Sequence, residues 1–248
     1  YACFSVIGGG TLHTLTSAPL SFIGGGQQNK MIGITQAGNQ YSNIIGGYNN
    51  TVFDASVVTI GGGSTNTIHC SINGFLAGGV LNKISCSSQS NILGGEQNLI
   101  KDAWWNSISN GTCNTIIRPA GSVFQVSRSS ISSGEYNTLS MSCSFIGSGK
   151  QNTIFGSASS CSSSIVGGTC NTIIGLGITD SSILGGERNT LQTNKSFVVG
   201  SNIFTDRDCT TFVNNLSIKN IPNETQISSL PSGSVYRCTT DNTLRIIP

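Results

Sequence analysis

The sequence predicts an all-β chain folded as a parallel β-solenoid (a β-roll) of about eleven rungs of about 16 residues each. Three observations predict it. First, a glycine recurs as an anchor at Gly10, Gly26, Gly47, Gly63, Gly79, Gly95, Gly111, Gly134, Gly149, Gly168 and Gly186. Second, an apolar residue stands three places before every anchor, Ile23, Ile60, Ile92, Ile146 and Ile183 among them, and another stands five places after it. Third, an asparagine stands three places after each anchor except the first, where His13 takes its place. Asn66, Asn98, Asn114, Asn152, Asn171 and Asn189 belong to this set. A fixed period means stacked units, each too small to bury its own apolar face, so neighbouring units complete the core.

Within a rung the first strand reads Ser21-Phe22-Ile23 and runs into a glycine turn, where positive φ is available without steric cost. The second strand reads Asn66-Thr67-Ile68, and period-two alternation puts Asn66 and Ile68 on one face with Thr67 on the other. Stacking at about 4.8 Å per rung turns the apolar positions into two inward ladders along a rod on the order of 50 Å long. The asparagines then form a ladder of side-chain amides that bond along the axis. The two longest anchor steps carry their extra residues at 32–41 and 117–128, at one edge of the rung, where a stack tolerates insertion.

Composition excludes several classes. Twelve basic and ten acidic residues in 248 give a net charge of +2, too weak a balance for a nucleic-acid partner. No apolar run reaches 18 residues, so membrane insertion by a helix is not expected. The chain opens on Tyr1 without an initiator methionine, and a processed or partial product is expected. Nine cysteines are an odd number, and no Cys-x-x-Cys spacing occurs, so neither a metal nor a cofactor is expected. The cysteines read as small hydrophobes buried in stacked ranks; disulfides within the rung stack or between chains are the alternative.

The first strand also has small or apolar residues two places before each anchor, which suits burial on both faces. The second strand instead turns Thr or Lys outward. One face covered by a partner and one face wet point to an oligomer about a shared axis, and a homotrimer is the simplest closed form for a rod. Charge also divides the chain. Eight of the 22 charged residues fall in the last 44 positions, which predicts a repeat rod over 1–204 and a small β cap over 205–248.

The Ser-x-Ile-Gly-Gly and Asn-Thr-Ile rungs resemble the left-handed β-roll heads of trimeric autotransporter adhesins. The C-terminal run Leu230-Pro231-Ser232-Gly233-Ser234-Val235-Tyr236-Arg237, followed by Leu244-Arg245-Ile246, is similar to the ends of tail-fibre and virion-surface proteins of bacteriophages and large DNA viruses. These resemblances imply a trimeric spacer on a virion surface or tail, extracellular in location, with other fibre or tail proteins as partners and a host-surface glycan as the candidate ligand. A cellular adhesin head is the second reading. An ice-binding solenoid is a third, motivated by the Thr rank, although no second Thr rank runs beside it.

Catalytic chemistry is not expected. Asp206 and Asp208 flank Arg207 with no histidine beside them, which fits a salt link or cap better than a glycosidase or metal pair. Binding is expected of exposed aromatics, whose faces pack on the apolar C–H surfaces of sugar rings. Trp104 and Trp105 at a rung edge, and Tyr41 and Phe124 in the two insertions, are the candidates.

Overall fold

The structure, a computed structural model, describes residues 4–34, 40–157 and 160–215, and beyond them 222, 232, 235–238 and 244–246. It is a parallel β-solenoid, with no helix among the described residues. The chain divides into two compact units, Tyr1–Asn214 and Asn215–Pro248.

The first unit carries two long parallel sheets. One has thirteen strands, from Val6–Ile7 to Thr211–Val213, and the other has eleven, from Thr14–Thr16 to Thr190–Leu191. Thirteen strands at about 4.8 Å give a stack about 60 Å long. Register is strict: Ile60 pairs with Ile44 and Leu76, and Ile68 pairs with Val52 and Ile84. Both apolar ranks lie inside. From Ile23 to Val198, and from Met31 to Leu191, every member is fully buried. Each such side chain contributes roughly 1.5–3 kcal/mol by leaving water. Ile7, at the open first turn, has no rung before it and stays exposed.

Two strands per rung were expected, and the rung has four stacked sides. Single bridges form a third ladder just after the glycine turn, through Tyr48, Ser64, Val80, Glu96 and Thr112. A fourth links Ser56, Ile72, Ser88 and Trp104 at the opposite corner. The long sheet also runs two strands beyond the last anchored copy. Phe197–Val199 and Thr211–Val213 keep the apolar rank through Val198 and Phe212 but carry no glycine pair, and the place six after the rank residue is Phe204 or Ile218 instead of asparagine.

The asparagines bond along the axis, but mainly to backbone rather than to each other. Asn66 Nδ2 donates to Gly62 O at 3.0 Å and to Gly79 O at 2.9 Å, and its Oδ1 accepts the N–H of Asn82 at 3.0 Å. His13 keeps part of this role, because its Nδ1 accepts the N–H of Asn29 at 3.2 Å.

A second polar ladder stands on the far side of the core, built from the serine that opens most of the first strands and interrupted at Val58 and Gly74. Ser129 Oγ donates to Met141 O at 2.7 Å and accepts the N–H of Ser144 at 3.2 Å. Ser42, Ser90 and Ser181 repeat the arrangement. Where Asn106 replaces the serine, its amide donates to Val126 O and accepts from Ser129 N–H. These hydroxyls each bond a backbone carbonyl of the adjoining corner, whereas Ser163 Oγ in the same column is buried without a partner among the described residues.

The cysteines do not fill the core. Among the described residues Cys238 is buried, while Cys70, Cys143 and Cys209 are exposed and Cys86, Cys113, Cys161 and Cys170 are partly so. The reason is backbone conformation. Most of them stand at rung corners, where non-glycine residues adopt left-handed φ near +50°, as at Cys70, Cys86, Cys113 and Cys170. A corner residue of this kind points its side chain away from the sheet interior. Cys113 Sγ and Cys170 Sγ lie 3.1 and 3.4 Å from the amide oxygens of Gln97 and Gln151, one rung earlier.

In the second unit Val235–Arg237 pairs antiparallel with Leu244–Ile246. Most of the Pro231 turn expected between the strand-like runs of this segment lies outside the described residues.

Candidate functional site

The long sheet turns one face inward through the Ile rank and the other face outward. In the single chain that outer face is uncovered, with Phe22 40%, Ile45 57% and Leu93 50% exposed. Phe75, Phe145, Val166 and Leu184 continue it. Two positions alternate along this face. Where the place four before the anchor is Phe, the place two before it is small: Phe22 with Gly24, Phe75 with Ala77, Phe145 with Gly147. At four rungs the exchange is reversed, with Asn or Ser first and a large residue second: Asn43 with Ile45, Asn91 with Leu93, Ser164 with Val166, Ser182 with Leu184; Thr59 with Gly61, Ser107 with Ser109 and Ser130 with Ser132 carry no large group at either place. The geometry explains the exchange. A Cβ on Gly24 would lie 3.1 Å from Phe22 Cε1, and one on Gly147 would lie 3.4 Å from Phe145 Cε1, so each ring lies close over its own glycine. One apolar group per rung thus faces outward at seven of these turns. This pairwise complementarity is written in the sequence and was missed by reading each column separately.

The expected aromatic platforms are placed as follows. Trp104 and Trp105 meet edge to face, with ring centroids 6.0 Å apart and planes at 83°. The guanidinium of Arg128, in the next rung, stands 6.0 Å from the Trp105 ring, at the outer limit of a cation–π contact. Backbone bonds fix this corner: Trp105 N–H donates to Ser88 O at 3.0 Å and Arg128 N–H to Trp104 O at 3.2 Å. Tyr41 occupies the same corner column four rungs earlier, with Val57, Asn73 and Gln89 between, so it belongs to no common patch with the tryptophans.

Phe124 lies apart from both. With Pro119, Gln125, Val126 and Met141 it lines a cleft of about 150 Å³, and the Phe155 and Leu176 side chains extend the apolar wall outward. Gln125 Oε1 is buried there without a hydrogen-bond partner.

The acidic pair is fully engaged. Asp206 Oδ1 and Oδ2 accept from Arg207 Nε and Nη2 at 2.9 and 3.0 Å, and this hydrogen-bonded guanidinium holds the Asp206 carboxyl below its ordinary range. Asp208 Oδ1 accepts the N–H of Asn194 at 2.7 Å. Neither histidine has a carboxylate partner: His69 packs against Phe53 with centroids 5.1 Å apart and planes tilted by 46°, and its Nδ1 lies 3.5 Å from Ser85 Oγ. Among the described residues no cluster of three His, Cys, Asp or Glu side chains has metal-site spacing. No helix among them is long and apolar enough to cross a membrane. The chain matches no protein-family profile and no curated protein sequence.

Proposed function

We propose that this chain is a structural fibre component of a virion surface or tail, a stiff homotrimeric spacer that also takes part in host attachment. The observation that carries the reading is the outer face of the long sheet. Monomeric soluble proteins seldom leave a continuous row of large apolar side chains in water, and such a row marks an interface. The occupant we assign is two further copies of the same chain. The row recurs along the stack at seven turns, broken at the Thr59, Ser107 and Ser130 turns, so an identical row on each neighbour covers its apolar stretches, and three rows meeting on one axis close the assembly. The Thr-bearing face of the second sheet then remains wet.

The virion location rests on the resemblance of the 230–246 run to fibre ends, and other fibre or tail proteins are its further partners. Attachment rests on the Trp104–Trp105 corner, a rigid pair of ring faces beside the Arg128 cation. That arrangement suits a host glycan carrying a carboxylate or sulfate.

Light scattering on a sizing column tests the assembly. A mass of three chains is expected, falling to one in a Leu93→Glu, Val166→Glu double variant that keeps the β spectrum of the parent. A monomeric parent overturns the trimer. Glycan-array binding lost in a Trp104→Ala, Trp105→Ala variant tests attachment separately.

A further inference from the structure

The corner column seven places after the anchor reads Asp54, Cys70, Cys86 and Asp102 in four consecutive rungs. All four have φ between 49° and 52°, so their side chains leave the backbone in the same direction. The register is set on the preceding residue, since His69 and Ser85 are Cα partners. It is held at the corner by Cys86 N–H donating to His69 O at 2.8 Å and Asp102 N–H donating to Ser85 O at 3.0 Å. Neighbouring positions in such a stack have Cα atoms about 4.8 Å apart. That lies inside the window of roughly 4.4–6.8 Å that a disulfide spans. Both thiols reach solvent, Cys70 more than Cys86.

We propose that Cys70 and Cys86 form a reactive thiol pair that closes into a rung-to-rung disulfide, with a low-molecular-weight disulfide of positive charge as the preferred oxidant. The inference is independent of the fibre reading. The more exposed Cys70, deprotonated at a pH above its raised pKa, attacks as thiolate, forms a mixed disulfide and expels one small thiol. Cys86 then attacks the Cys70 sulfur, forms the protein disulfide and releases the second small thiol. Two protein S–H bonds are lost, one S–S bond is exchanged for another, and the protons leave on the two small thiols.

The preference for a cation follows from the column. Asp54 below and Asp102 above bracket the thiols with two carboxylates, while the first cation of the column, Arg118, stands one rung beyond Asp102 and two beyond Cys86. Contact with Cys86, then partial burial, then the negative charges of Cys86, Asp54 and Asp102 push the Cys70 thiol up from its ordinary value. The same field repels an anionic disulfide and draws in a cationic one. Among the other described cysteines, Cys143 and Cys161 lie one rung apart but out of register, since Cys161 bridges Ser142, and they do not share a column between two carboxylates. Cys113 and Cys170 share a column but stand three rungs apart, on the order of 14 Å, beyond disulfide reach.

The test uses the whole chain treated with oxidised glutathione, which is anionic, or with cystamine, which is dicationic, followed by tryptic mass analysis without reductant. Cleavage after Lys83 separates the two cysteines, so the bond joins peptide 31–83 to peptide 84–101, lighter than their sum by two hydrogens. The expected result is that linked pair, formed several-fold faster with cystamine, with the difference shrinking at high salt. In Cys86→Ser the linked pair vanishes and Cys70 keeps the small adduct. Separate adducts on Cys70 and Cys86 in the parent overturn the pair. Equal rates with the two oxidants at low salt overturn the electrostatic selection.

Discussion

Asn98 Oδ1 accepts the backbone N–H of Asn114 at 3.0 Å, and through this bond one rung holds the next at a fixed height. The same amide donates to Gly94 O within its own turn at 3.1 Å and to Gly111 O in the next at 2.9 Å. One buried side chain thus closes the glycine turn and fastens it to its neighbour.

Replacing Asn98 with Ala removes all three bonds and leaves the Asn114 N–H buried without an acceptor. A loss of about 3 kcal/mol is expected, from one orphaned buried donor together with two lost bonds. Because a stack transmits damage mainly to neighbours, the loss should be local. Hydrogen exchange should speed up at Asn114 and the adjoining turns well before the ends of the unit respond.

Adjacent glycines in one turn should answer differently to the same change. Gly95 has φ +84°, and a Cβ there would collide with Gly111 O and stand 2.7 Å from Asn98 Nδ2. Nothing lies within 4 Å of a Cβ on Gly94. Gly95→Ala is expected to cost on the order of 3 kcal/mol or more, and Gly94→Ala about 0.5 kcal/mol or less. Urea midpoints of the two variants check the contrast.

His13 leaves its Nε2 buried with no partner, whereas Asn29 one rung later donates to Gly25 O at 2.9 Å and to Gly47 O at 3.0 Å. His13→Asn should restore those two donations to the first turn and stabilise it by about 1 kcal/mol. Slower amide exchange at residues 11–16, with little change beyond Asn50, is the expected signature.

Val57 sits at φ +55° with half its surface in water, while Asn73 holds the same corner one rung on at φ +54°. A β-branched side chain is among the least suited to that region, and asparagine visits it readily. Val57→Asn is expected to gain about 1 kcal/mol, read as a rise in Tm of roughly 2–4 °C. An unchanged or lower Tm would show that the valine makes a contact that the conformational argument omits.

These residues also show what could be read from the sequence. Ile60, Asn66 and Ile68 announce their places because spacing alone puts them on the inside of a stack, and at the isoleucine places burial admits only apolar side chains such as Leu76, Met31 and Val52. Ser90 and Ser129 belong to a column that Val58, Gly74 and Asn106 interrupt, serine is common throughout the chain, and only the carbonyls of Ala103 and Met141 reveal what the hydroxyls do. Corner columns were opaque for a different reason. Left-handed φ is ordinarily announced by Gly or Asn, and here it is taken by Val57, Thr65 and Cys86, held by N–H bonds to the preceding rung. The cysteines were misplaced for that reason, since a small apolar residue in a repeat suggests the core until its backbone is seen to turn outward. The aromatic candidates Trp104, Trp105, Tyr41 and Phe124 all reach solvent. That Tyr41 and Phe124 lie away from Trp104 and Trp105 depends on rung height and column, which composition does not carry.

The asparagine column has a direction. Each amide reaches the turn that follows it in the chain, and at the end of the series Asn189 Nδ2 donates to Gly200 O at 2.6 Å while its Oδ1 accepts from Ile203 N–H. A finished turn therefore presents a ready donor and acceptor to the segment that comes next. The ribosome delivers the chain in the same order. Growth of the stack can then proceed like a zipper drawn from the N-terminal end, each closed tooth seating the one just emerging, with no need to wait for the last.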